Sequence, residues 1–267
     1  MKLINMMMKQ YQPFYILSYS PWPIIISMNL IGMFINFINW LNLKNPFLLM
    51  FSSMILFLIS ILWWRDIIRE SSFMGNHTFK IYIMLKWSMI LFIISEVFFF
   101  ISFFWNFFNN SIIPNYEFMN FWPPKSILPF NFLEIPLLNT IILLTSGIFI
   151  TWSHYALINK NHFNMIISLT MTVILGMYFT MLQIFEYFQA KFNFFDSIYG
   201  SSFFIATGFH GVHVIIGSLF LLSTLIRQSF FFMSSSHHFN FEAASWYWHF
   251  VDVIWLFLYL SIYWWGS

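Results

Sequence analysis

The sequence predicts an all-α polytopic membrane protein with seven helices crossing the bilayer. Three observations carry that prediction. The 267 residues are 60% hydrophobic and only 7% charged, with a mean hydropathy of +0.76. A soluble domain of this size has too little interior to hide so much apolar surface. Apolar stretches of about 20 residues recur between polar punctuation, which is the length a bilayer requires. Finally, the cationic residues fall on alternate connections.

In chain order the spans lie at about 21–42, 47–68, 80–108, 133–158, 163–188, 198–228 and 240–265. Pro21 and Pro23 open the first, and Asn45-Pro46 opens the second. Proline suits a helix start, where its missing N–H costs nothing. The third and sixth exceed the bilayer thickness and must tilt or project. Between the third and fourth, Asn109–Phe132 contains Pro114, Pro123, Pro124 and Pro129 and reads as a surface loop. In the sixth, Gly200, Thr207, Gly211 and Ser218 form a small-residue stripe suited to close helix approach. In the last, Trp246, Tyr247, Trp248, Tyr263, Trp264 and Trp265 cluster towards the two ends, as interfacial belts do. The chain reads as a single membrane domain, 1–267.

With the N-terminus inside, inner positions hold Lys2, Lys9, Arg65, Arg69, Lys80, Lys86, Lys160 and Arg227, and outer ones hold Lys44, Lys125 and Lys191. Eight against three follows the positive-inside rule and places the C-terminus outside. A net charge of +2 without a basic run excludes a nucleic-acid partner. The absence of cysteine excludes disulfides, thiolate metal sites and thiol catalysis. The start, MKLINMMMKQYQPF, has neither the apolar core of a signal peptide nor the arginines of a transit peptide. Heavy use of Phe, Met, Ile and Asn points to an A/T-rich, organellar coding sequence.

Glu96 stands alone in the apolar stretch Trp87–Phe108. An ionisable group there is costly and marks a pairing or functional site. Its helical neighbours Phe92, Ile93, Phe99 and Phe100 cannot hydrogen-bond it, so it should stay uncharged unless another helix supplies a partner. Proton relay and lipid contact are the functional readings; a bond to a neighbouring helix is the plainer one. Glu242, Ser245, His249 and Asp252 share one face of the last span, as a proton wire or, more commonly, a polar seam between helices. His210 and His213 form an i, i+3 pair without further ligands, and no bis-histidine haem quartet exists, so no metal site is expected. His237-His238 reads as a solvated loop or a subunit contact. Trp63-Trp64-Arg65-Asp66 and Arg69-Glu70 suit either a phospholipid headgroup or a plain interfacial anchor. No phosphate-binding glycine loop, nucleophile elbow or carboxylate cluster occurs.

The segments WWRDIIRE (63–70), MILFIISEVFFF (89–100), FWPP (121–124), PLLNTIILL (136–144), ATGFHGVHVIIGS (206–218) and WYWHFVDVIWLFLYLSIYWWGS (246–267) resemble the cytochrome c oxidase subunit III family. The resemblance runs in order from about Pro21 to Ser267 and is nearest the mitochondrial form. It implies seven helices in two bundles, 2 + 5, divided by a V-shaped cleft holding phospholipid: helices 1–2 at about 21–68 and helices 3–7 at about 80–265. It also implies a non-catalytic core subunit of the proton-pumping complex that passes electrons from cytochrome c to oxygen. Such a subunit packs on subunit I, with subunit II and accessory subunits elsewhere in the complex. Haem a, haem a3 and the copper centres belong to partner subunits, and this chain carries bound phospholipid only. The implied roles are to stabilise subunit I and sustain proton uptake. The implied place is the mitochondrial inner membrane, with the N-terminus in the matrix and the C-terminus in the intermembrane space.

Residue by residue, Glu96 matches the family's carbodiimide-reactive intramembrane carboxyl. Trp64, Arg69 and His77 match positions bordering lipid headgroups, and Arg227 matches a second lipid contact. The order Glu242, His249, Asp252 also matches. Asn76 precedes His77 where the family usually has two histidines. Phe230 and Phe232 stand where many members carry further basic residues, and Asn109 and Tyr155 replace common histidines. The rival readings are a transporter or proton channel, which would need a polar path across the other spans, and the equivalent subunit of a quinol oxidase.

Overall fold

The computed structural model describes residues 19–114, 121–125, 127–235 and 237–267. Lys2, Lys9 and the rest of the N-terminal segment lie outside them. The described residues are helical throughout their ordered elements: α1 Trp22–Leu43, α2 Phe47–Ser72, α3 Phe79–Ile112, α4 Ile135–Ile158, α5 His162–Gln189, α6 Ile198–Ser229 and α7 Phe239–Leu258. A seven-residue π-helix, Tyr259–Trp265, continues α7. Each expected span therefore has its helix, with ends within a few residues of those expected. The largest excess is at α2 and α3, which each run four residues past the expected C-terminal end, to Ser72 and Ile112. Hydropathy bounds the membrane span near Ile68, but a helix satisfies its own backbone regardless of side-chain polarity and continues to Ser72.

Six of these helices are long and apolar enough to cross a membrane. The seventh, α7, carries Asn240, Glu242, His249 and Asp252, which lower its hydropathy. It tolerates them because it is the most enclosed helix: Phe241, Trp248, Val251, Trp255 and Leu258 are all fully buried. A helix facing protein on most sides needs less apolar surface than one facing lipid.

The chain divides into two compact units, 1–85 and 86–267, with the boundary inside α3. In the first unit α1 and α2 form an antiparallel hairpin. Pro21 and Pro46 sit at the two N-caps, and Lys44 turns the chain in the left-handed conformation at φ 53°. No residue of α1 is buried, and its large exposed side chains are apolar. Polar bonds tie the hairpin together. Trp22 Nε1 donates to Asp66 Oδ2 at 2.8 Å, Asn29 Nδ2 to the Ser52 carbonyl at 3.1 Å, and Asn36 Nδ2 to the Leu48 carbonyl at 3.2 Å. Residues 22, 29 and 36 recur every seven positions and so line one face of α1. In hydrocarbon such bonds do what hydrophobic burial does in water.

The second unit holds a core around Trp248 and Trp255 of α7. Gly176 of α5 and Gly217 of α6 flank the Trp248 ring. A Cβ on Gly176 would lie 2.6 Å from its Cη2, and one on Gly217 would lie 3.0 Å from its Cε3. The Trp248 indole donates to Ser146 Oγ of α4 at 2.8 Å. Thr140, Thr172 and Thr224 return their hydroxyls to carbonyls three residues back, so they bury without an outside partner.

Two sequence expectations need correction here. Trp248, Tyr247 and Tyr263 are core residues, not interfacial belts; only Trp264 and Trp265 are exposed. The small-residue stripe needs correction only at Gly211, which meets no atom within 4 Å: Thr207 bonds Tyr187 of α5, Ser218 lies against Gly176 of α5, and Gly217, off the stripe, meets α7. Spacing alone found small residues but not the face on which the large indole lies.

Candidate functional site

Glu96 has a partner. Its Oε2 lies 2.9 Å from His213 Nε2, and His213 Nδ1 lies 2.6 Å from the Phe209 carbonyl one turn back. A carbonyl only accepts, so Nδ1 carries a hydrogen. The Glu96–His213 contact then holds a single further proton, which either the carboxyl or Nε2 can own. Both states leave the pair with no net charge, which lowers its cost in hydrocarbon. The cross-helix partner that the sequence leaves open for Glu96 is therefore His213. Phe99, Phe100, Phe250 and Tyr247 surround His213 with aromatic edges and faces. Met89, Phe92, Val212 and Ile216 extend this lining into an apolar groove that opens above the pair.

The α7 residues divide between two neighbours. Glu242 Oε2 accepts from Lys86 Nζ of α3 at 2.8 Å, while its Oε1 lies 3.3 Å from His238 Nε2. His238 Nδ1 bonds the Ser234 carbonyl at 3.2 Å. His154 of α4 stacks on Phe241 at 5.7 Å between centroids and approaches the His238 ring at 5.9 Å. Burial pushes the His238 imidazole below the usual histidine range, an effect the Glu242 carboxylate opposes. His238 is 9% exposed, so it is no solvated loop residue. It begins α7 and is covered by α4. Farther along, His249 Nδ1 and Asp252 Oδ2 are 3.9 Å apart, and both face Gly147 of α4. A Cβ at Gly147 would meet Asp252 Oδ2 at 3.1 Å. The shared face of Glu242, His249 and Asp252 thus serves α3 at one end and α4 at the other.

Trp64 and Arg69 are exposed near the end of α2, and His77 is half-buried in the turn before α3. Arg69 occupies the last turn of α2, where a cation also suits the helix dipole. Beside Trp64, Arg65 grips Asp66 at 3.1 Å. Arg227 lies in the last turn of α6, half-buried, its Nε enclosed without a hydrogen-bond partner among the described residues. His162 closes this corner by bonding the Gln228 carbonyl at 2.8 Å and stacking on Phe231 at 4.0 Å.

Several buried polar groups escaped the sequence reading. Glu186 of α5 is fully buried, with the Tyr263 hydroxyl as its polar neighbour. Nearby, Gln183 Nε2 reaches Tyr263 Oη at 3.4 Å, and Tyr187 donates to Thr207 Oγ1 at 2.7 Å. His210 packs between Phe179 and Trp255, with neither ring nitrogen bonded among the described residues, so the His210–His213 pair does not act as a unit. Asn139 of α4 is fully buried too. Glu186 sits in FEYF near the end of its span, where a carboxyl reads as interfacial; only the packing of α6 and Tyr263 over it shows otherwise.

A sequence model described as cytochrome c oxidase subunit III matches residues 12–267. A cytochrome c oxidase subunit 3 from Locusta migratoria is 54% identical over 255 residues, spanning 96% of this chain and 97% of its own. That of Aedes aegypti is 53% identical over 255 residues, with the same coverage. That of Myxine glutinosa is 53% identical over 262 residues, spanning 98% of this chain and all of its own. At this identity, sustained over nearly the whole length of both partners, helices and site residues alike fall within the match, and the chain belongs to the cytochrome c oxidase subunit III family.

Proposed function

We propose that this subunit of the cytochrome c oxidase complex is its non-catalytic lipid-binding scaffold, stabilising subunit I and sustaining proton uptake during turnover. The match over residues 12–267 carries this reading. Haem a, haem a3 and copper are assigned to the partner subunits. Subunit I is the direct partner, with subunit II and accessory subunits in the same complex. The whole chain acts as one membrane domain of the mitochondrial inner membrane, its N-terminus in the matrix and its C-terminus in the intermembrane space. The eight-to-three division of Lys and Arg supports that orientation.

Phospholipid is held through headgroup phosphate. Arg69 supplies a guanidinium in the last turn of the helix that also exposes the Trp64 indole, and His77 follows in the turn before α3. Arg227 forms a second site, and its enclosed, unbonded Nε supports it: a guanidinium donor withdrawn from water needs an acceptor. The Glu96–His213 pair is a structural bond within the bundle that lines a lipid-facing groove.

Removing this subunit from the purified complex tests the role. The depleted complex should keep its haem spectrum and reduce oxygen, but take up protons more slowly and inactivate during turnover. Haem or copper leaving with the isolated chain would overturn the scaffold reading.

A further inference from the structure

His154, His238 and Glu242 each present one ligand atom, and the three atoms lie within 4.8 Å of one another. We propose that they form a binding site for a divalent transition-metal ion of the zinc class, at the end of the bundle where α4 finishes and α7 begins.

The proton positions point there first. His238 Nδ1 bonds the Ser234 carbonyl and so carries a hydrogen. In the neutral ring this leaves Nε2 as a lone pair facing Glu242 Oε1, also an acceptor, at 3.3 Å. Two acceptors at that distance need a cation between them, either a proton or a metal. The metal-ion answer agrees with the spacing. Zinc bonds of about 2.0–2.2 Å in tetrahedral geometry separate ligand atoms by roughly 3.3–3.5 Å. The Nε2–Oε1 pair already has that separation. His154 needs only to close a gap of about an ångström, from a helix whose side chain is steadied by Phe241. The Ser234 carbonyl on the remote nitrogen is the outer contact that metal-bound histidines characteristically have. Two imidazoles and one carboxylate, with water in the fourth place, suit zinc better than calcium or magnesium.

Lys86 is the competitor. Its ammonium holds the other Glu242 oxygen at 2.8 Å and would oppose a second cation. At 33% side-chain exposure it can swing out, and it already hovers 6.0 Å from the Trp246 ring centroid. The ion therefore displaces Lys86 rather than joining it.

The intact complex, stripped with chelator and titrated with isotopically labelled zinc, tests the site. His154→Phe keeps the stacking on Phe241, and His238→Gln keeps a hydrogen-bonding group. Each should lose one zinc per complex, or weaken that zinc at least roughly tenfold. Lys86→Met should tighten it roughly two- to fivefold, the fold-change of one exposed ion pair. Unchanged zinc content and affinity in both histidine variants overturns the site. A zinc-soaked wild-type complex needs no variant: an anomalous peak between the three side chains supports the proposal, and its absence refutes it.

Discussion

Separating Glu96 from His213 should cost the complex about 1.4 kcal/mol of coupling. The contact is 2.9 Å long, with side chains 24% and 10% exposed, and the exposed part faces an apolar groove rather than water. Hydrogen bonds between membrane helices average about 0.6 kcal/mol and reach about 1.7. This one belongs near the upper end, because Phe92, Ile93, Phe99 and Phe100 leave Glu96 no alternative on its own helix. The perturbations are Glu96→Leu, His213→Leu and the double variant, with Glu96→Gln as control. An amide can donate to His213 Nε2, so Glu96→Gln should lose less than half as much as Glu96→Leu. The assay is the denaturant or temperature at which this subunit unfolds in the detergent-solubilised complex. About 1.4 kcal/mol corresponds to a tenfold change in the unfolding equilibrium. In the double-variant cycle the two losses should therefore fall short of additive by that amount. Strict additivity, or a Glu96→Gln as damaging as Glu96→Leu, would refute the shared-proton bond.

Four further outcomes follow from the packing and the surfaces. Gly217→Ala places a methyl 3.0 Å from Trp248 Cε3 and should destabilise the second unit by about 1–3 kcal/mol in thermal melts. Gly211→Ala meets nothing within 4 Å and should be neutral or, through helix propensity, stabilising by up to about 1 kcal/mol. Asp66→Ala removes the acceptor of Trp22 Nε1 and should cost about 1 kcal/mol, read as faster proteolysis of the α1–α2 hairpin in detergent. Arg69→Ala should lower the phospholipid retained per complex by mass spectrometry, while Arg65→Ala, whose charge is already spent on Asp66, should not.

The sequence made the spans legible because hydrocarbon imposes one requirement, about 20 apolar residues, that nothing in tertiary packing can waive. It was mute about partners for the same reason. Every face of an apolar helix looks alike, so hydropathy cannot say which side meets lipid and which meets Trp248. The polar residues held more information than their singleness suggested. Trp22, Asn29 and Asn36 repeat every seven residues, and that repeat alone marks the face of α1 turned towards α2.

Depth would have found the partner of Glu96. Glu96 lies 17 residues beyond Phe79, the start of α3, and His213 lies 16 residues before Ser229, the end of α6. At about 1.5 Å per residue both sit roughly 25 Å from the same end of the bundle, because α3 and α6 run in opposite directions. A carboxyl that must find its bond across helices can only choose among polar groups at its own depth. The same count leaves His210 as an alternative, one turn away, so depth narrows the choice without making it. Rotation decides: His210 turns inward between Phe179 and Trp255, and His213 turns to α3. The pairing of Glu96 is thus fixed jointly by the register of α3 against α6 and by the indole that claims His210. A substitution at Trp255 should loosen that claim and weaken the Glu96–His213 bond without touching either residue.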